Sequence, residues 1–130
     1  MGNRFSYSCL ARELSSRGCI VYALDHDDGT CSVSYSRKLN GFWIYEHIMD
    51  YLQVDTLITE YKHKIWNIRV PEIRELVERI KEDAKRDGNI DISKLSIIGH
   101  SMGSFAALES ARLIDEIVSC VALDPYMRVL

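Results

Sequence analysis

Gly99-His100-Ser101-Met102-Gly103 is the segment of this chain whose residue types and spacing suit nucleophilic chemistry. It follows the apolar run Leu95-Ser96-Ile97-Ile98 and precedes the small-residue run Ser104-Phe105-Ala106-Ala107-Leu108. The order reads as strand, sharp turn, helix, with the Ser101 hydroxyl lifted clear of the strand end. A turn that tight brings backbone against its neighbours, which predicts no room for a Cβ atom at Gly99 or at Gly103. It also predicts strain at Ser101.

A serine hydroxyl is a weak nucleophile at neutral pH. It needs an imidazole to take its proton and an acid to orient that imidazole. The strand-turn-helix pattern is similar to the nucleophile elbow of α/β-hydrolases, where the order along the chain is nucleophile, acid, histidine. Asp124 fits the acid: it ends the next apolar run, Ile117 to Leu123, and neighbouring parallel strands lie about 4.8 Å apart. The competing reading is a strand-end aspartate that caps a turn, and the Asp124-Pro125 pair supports a turn in either case. The backbone N–H of Met102, at the start of the elbow helix, fits one donor of an oxyanion hole.

None of the four histidines fits the base. His100 occupies the variable elbow position and should point away from the active face. His26 lies on a loop at the right sheet edge and is a candidate for lining the pocket, but it precedes Ser101. His47 and His63 suit solvated or locally bonded roles. The second oxyanion donor should come from a loop before the first helix, where this chain reads only Met1-Gly2-Asn3-Arg4.

Several elements must position these groups. Phe5, Cys9, Leu10 and Leu14 recur at helical spacing from Phe5 to Leu14, with Gly18 as the stop. Cys19 to Leu24 reads as a buried strand, and a helix feeding an apolar strand is a parallel-sheet signature. Asp25-His26-Asp27-Asp28-Gly29-Thr30 follows as a solvated turn, since its carboxylates lack the ligand spacing of an EF-hand.

Asn40 to Val54 carries an apolar surface broader than one core stripe, suited to packing, with a lid or lipid contact as the alternatives. Pro71 should open a helix that places Ile73, Leu76, Val77, Ile80 and Ala84 on one face, ending at Asp87-Gly88-Asn89. The elbow helix is expected over Met102 to Ile114. Right-handed crossovers would make the three strands parallel neighbours, with Asp25, Ser101 and Asp124 at one edge.

Composition narrows the classes further. Lys plus Arg total 16 against 19 Asp plus Glu, a net charge of −3, which leaves no basic footprint for nucleic acid. Glycine-rich phosphate loops are absent, which argues against a nucleotide-binding domain. Cys9, Cys19, Cys31 and Cys120 form no metal or disulfide pattern and are expected as buried free thiols.

No apolar run is long enough to span a bilayer, and no signal-peptide core opens the chain. A cytoplasmic location is therefore favoured for the chain as given, with secretion open if the N-terminus is truncated. Met1-Gly2-Asn3-Arg4-Phe5-Ser6 matches an N-myristoylation pattern, although the start reads like the interior of a larger domain. Residues 1–130 are expected to form one partial α/β-hydrolase domain, a three-layer sandwich with a mostly parallel sheet, without the N-terminal oxyanion loop and the C-terminal histidine segment.

Three blocks carry a closer resemblance. Leu14-Ser15-Ser16-Arg17-Gly18 with Ile20 to Thr30, Ile97 to Gly103, and Val121-Ala122-Leu123-Asp124-Pro125-Tyr126-Met127 resemble segments of the platelet-activating factor acetylhydrolases, plasma and cytosolic type II serine lipases. The early acid at Asp124, directly after the strand next to the elbow strand, is the most specific of these matches. Asp25, Asp27, Met102 and Ser104 depart from the family's glutamate, arginine, phenylalanine and glycine, and Ser36 to Asn67 matches only loosely.

The resemblance implies hydrolysis of a short sn-2 acyl ester of a phospholipid, as a 1-alkyl-2-acetylglycerophosphocholine esterase, or of another small ester. It implies peripheral lipid contact, no metal and no organic cofactor. Ser101 would be nucleophile and Asp124 acid, with the Met102 N–H at the oxyanion. The 130 residues alone should be poorly active. The alternatives are another α/β-hydrolase esterase or acyltransferase, or a non-catalytic α/β-hydrolase-like binding module.

Overall fold

A computed structural model describes residues 4–28, 33–36, 41–44 and 62–125, the second and third of these as backbone. Met1 to Asn3 of the myristoylation pattern, Cys31, His47, Tyr126, Met127 and most of Asn40 to Val54 lie outside the described residues. The chain divides into two compact units, residues 1–51 and 52–130.

In the first unit a 3₁₀ turn, Arg4–Tyr7, leads into helix α1, Ser8–Ser16. Gly18 stops it at φ +89°, a conformation glycine adopts without a Cβ penalty, and the Cys19 and Gly18 amides close on the carbonyls of Leu14 and Ser15. The helix overlaps the Phe5-to-Leu14 periodicity only from Ser8 on, since Phe5 to Tyr7 lie in the 3₁₀ turn, and none of its residues is buried.

Cys19 to Leu24 is not a strand. The segment carries no ladder, and Ile20, Val21, Tyr22 and Leu24 are exposed. An apolar run favours burial without choosing a state; a strand also needs a partner edge, and no described residue pairs with this one. A hairpin follows: β1, Val33–Ser36, pairs antiparallel with β2, Gly41–Ile44, Val33 opposite Ile44 and Ser36 opposite Gly41.

The second unit holds helices against a small parallel sheet. Its first long helix runs through Pro71 rather than starting there. A π-helical turn, Ile65–Arg69, passes directly into α2, Val70–Arg86, and the Val70 amide reaches back to the Ile65 carbonyl. Proline inside a helix lacks the N–H for the usual bond and crowds the carbonyl four residues back; a widened turn just upstream relieves that crowding. Val70, Ile73, Val77 and Ile80 are buried; of the face expected from the sequence, Ile73, Val77 and Ile80 are covered while Leu76 and Ala84 are half-buried. Asp87 caps the end, its amide on the Asp83 carbonyl.

A 3₁₀ turn, Ile92–Lys94, then leads into β3, Ser96–His100, followed by α3, Met102–Leu113, and β4, Ser119–Leu123. β3 and β4 are parallel neighbours in the register Ser96 to Ser119 through His100 to Leu123.

The core of this unit is Ile65, Val70, Ile73 and Val77 against Phe105, Ala106, Ile114 and Ile117, with Leu95, Ile97 and Ala111 at its margin. Tilted rings of Trp66 and Phe105, 6.2 Å apart, extend it. Polar ties cross from α2 to the α3 region: Arg74 donates to the Leu113 carbonyl at 2.8 Å and Lys81 to Glu116 at 2.6 Å. Side chains alternate along the sheet. Ile97, Gly99, Cys120 and Ala122 take the more covered face, while Ile98 and Val121, 41% and 45% exposed, take the other. The described layers, helices on a two-stranded parallel sheet, are compatible with an α/β fold.

Candidate functional site

β3, α3 and β4 build the site around Ser101. The parallel ladder ends with the pair His100 and Leu123, and the Ser101 amide extends it by one bond to the Leu123 carbonyl at 2.9 Å. The chain must reverse there without leaving the sheet. Ser101 absorbs the reversal at φ 53°, ψ −120°, a sparsely populated conformation for a side-chain-bearing residue that typically costs about 1–3 kcal/mol. This is the strain the glycine-flanked pattern predicts.

Gly99 is required by close approach. A Cβ on it would lie 2.3 Å from the Gly103 carbonyl oxygen and 2.8 Å from the Ser104 Cα. Gly103 differs from expectation: a Cβ there meets nothing within 4 Å among the described residues. The crowding is one-sided: a Cβ on Gly99 runs into the first turn of α3, whereas one on Gly103 meets no described residue.

Ser101 stands at the N-cap of α3, a position where serine usually spends its hydroxyl on the helix's first amides. Here the side chain makes no capping hydrogen bond. Met102 is the first helical residue, at the positive end of the helix dipole, and no acidic side chain lies in that first turn to offset it. Negative charge developing beside Ser101 would be favoured there.

Asp124 lies one residue past the last ladder pair of β4, as Ser101 does on β3. It too has a positive φ, 43°, and it is exposed. Aspartate tolerates this left-handed conformation better than most residues. The chain bends at Asp124, and the two candidates on neighbouring strands share one sheet edge.

Ser104 binds this corner together. It is fully buried, and its hydroxyl lies 3.0 Å from the carbonyl oxygens of both Gly99 and Leu123. Sequence reasoning placed Ser104 only as a departure from glycine. The available signal was a small polar residue five positions after Gly99 in an otherwise apolar helix start.

Asp25 and His26 belong to the first unit, on a segment that ends in a bend rather than at a strand terminus, so the common edge expected for Asp25, Ser101 and Asp124 is shown for Ser101 and Asp124 alone. Asp25 accepts the Arg4 amide at 2.6 Å and pairs with the Arg4 guanidinium at 3.4 Å. Asp28 is buried, so this turn is less solvated than its composition suggests.

His63 is locally bonded, its Nδ1 3.4 Å from the Asn67 amide nitrogen. His100 falls on the sheet face opposite Gly99, as alternation requires. Among the described residues no cluster of histidine, cysteine and acidic groups is arranged to hold a metal ion. Cys9 and Cys19 are free but exposed, and Cys120 is half-buried, its thiol pushed up by burial; the expected buried thiols are thus corrected for the first two, which sit on or beside the uncovered helix α1.

The chain matches no protein-family model and no solved structure. It is similar to the platelet-activating factor acetylhydrolase of Cavia porcellus, 26% identical over 147 residues that cover 95% of this chain and 32% of the relative. The proteins of the same name from Bos taurus and Canis lupus familiaris are each 26% identical over 150 residues, with the same coverage. The chain spans about a third of the length of these curated relatives. It is distantly related to proteins named platelet-activating factor acetylhydrolase.

Proposed function

We propose that the chain is the central part of an α/β-hydrolase domain of a serine carboxylester hydrolase that acts on a short sn-2 acyl ester of a phospholipid. One observation carries the reading: Ser101, at φ 53° on the junction of β3 and α3, is hydrogen-bonded through its amide to the residue that precedes Asp124. The names of the distant relatives support the ester and its phospholipid class.

In this reading Ser101 Oγ attacks the acyl carbonyl carbon while an imidazole takes its proton. The tetrahedral oxyanion forms beside the Met102 N–H. Collapse breaks the ester bond, the imidazolium returns the proton to the departing alcohol, and an acyl-serine remains for water to hydrolyse by the same steps. Asp124 orients the imidazole and stabilises its protonated form. The imidazole and the second oxyanion donor are assigned to sequence outside these 130 residues, because none of the four histidines here holds the required place in chain order. Gly99 provides the close approach that shapes the elbow.

The test is turnover of short-chain phospholipid esters by the natural protein that carries this chain, beside its Ser101→Ala variant. Activity that disappears in the variant is the expected result. Activity that persists would remove Ser101 from the chemistry.

A further inference from the structure

Ser104 is fully buried in the first turn of α3. A hydroxyl taken from water without a partner is costly, and here two acceptors converge on it. The carbonyl oxygens of Gly99 and Leu123 each lie 3.0 Å away. Since a hydroxyl carries one proton, the two acceptors share it. Gly99 belongs to β3 and Leu123 ends β4, so one side chain ties the helix start to both strands.

The Leu123 carbonyl is held twice. It accepts the Ser101 amide at 2.9 Å as well as the Ser104 hydroxyl. A peptide unit is planar, so fixing this carbonyl also fixes the Asp124 nitrogen and the bond about which Asp124 takes its φ of 43°. The elbow that aims Ser101 therefore also sets the frame from which Asp124 projects.

We infer that Ser104 is a positioning residue: its hydroxyl clamps the Leu123–Asp124 peptide to the elbow and so sets the direction of the Asp124 carboxylate relative to Ser101. The inference rests on the reading of Ser101 as nucleophile and Asp124 as acid. Ser104 acts through Asp124 and has no role in holding substrate. A carboxylate aimed correctly at an imidazole raises that imidazole's pKa by favouring its charged form. Removing the clamp therefore lowers kcat with little change in KM, and moves the acid limb of the kcat/KM profile to lower pH.

The experiment uses the natural protein that carries this chain, as wild type, Ser104→Ala, Ser104→Gly and Ser101→Ala, with a short-chain p-nitrophenyl ester across the pH range and thermal melts to confirm folding. The expected result is a kcat lowered roughly 10- to 100-fold in the folded Ser104 variants, as for a displaced catalytic group, with the acid limb shifted down. Folded variants that keep wild-type kcat and acid limb overturn the inference. Variants that do not fold, or that lose activity without moving the limb, make Ser104 a purely structural residue and overturn it equally. Full activity in Ser101→Ala would instead overturn the reading beneath it.

Discussion

The Ser101 amide donates to the Leu123 carbonyl across 2.9 Å, one step beyond the last regular pair of the parallel ladder. This bond keeps the elbow attached to the neighbouring strand while the chain reverses. Without it, a residue at φ 53° would be free to relax toward an ordinary conformation. With it, Ser101 and Asp124 both leave the sheet at the same edge.

The two elbow glycines should respond oppositely to a methyl group. Gly99→Ala drives a Cβ into the Gly103 carbonyl and should cost about 1–3 kcal/mol of stability, as overpacking does. Gly103→Ala meets no described residue at the start of a helix and should be neutral or stabilising by up to about 1 kcal/mol. Urea denaturation midpoints measure both, and equal losses at the two positions would contradict the one-sided crowding.

A buried hydroxyl in α3 offers a stabilising change. Ser110 is fully buried, and its Oγ has no hydrogen-bond partner among the described residues. Ser110→Ala removes an unsatisfied group and adds a better helix former, so it should stabilise by roughly 1 kcal/mol. A lower denaturation midpoint in the variant would show that the hydroxyl is bonded.

Acid should weaken the second unit through Glu109. The Arg112 guanidinium, hydrogen-bonded to Glu109 at 2.9 Å, holds its carboxyl below the usual range, and the Trp66 indole adds a donor at 3.0 Å. A pKa depressed on folding contributes stability that is complete above the unfolded value of about 4.3 and is lost as pH falls through the folded value. Glu116, held down by Lys81, acts in the same direction. The melting temperature should therefore fall below about pH 4.3, and less steeply in Glu109→Gln. An unchanged slope in that variant would exclude Glu109 as a contributor.

Local patterns carried most of what the sequence disclosed. The strand into the elbow, the positive φ at Ser101 and the buried stripe of α2 follow from spacing within a dozen residues, where sterics and periodicity decide the outcome. Asp124 was legible because the next apolar run had to return beside β3. The rest depended on partners distant in sequence.

Cys19 to Leu24 looks the same whether or not an edge is available to pair with it. Pro71 reads as a helix start unless the widened turn before it is known. The alternation Val33-Ser34-Tyr35-Ser36 is a local strand signal for β1, but it says nothing of its partner, Gly41–Ile44. The Ser104 clamp needs both strand ends in place, and no local pattern specifies that.

The central claim is that Ser101 is a positioned nucleophile whose base lies outside this chain. Fluorophosphonate labelling with mass mapping of the modified residue tests it most directly, on the 130-residue chain and on the natural protein that carries it. The account predicts rapid stoichiometric labelling at Ser101 in the natural protein, abolished by Ser101→Ala, and slow labelling of the 130 residues alone. Label on another serine of the natural protein, or rapid stoichiometric labelling of Ser101 in the 130-residue chain, would contradict it.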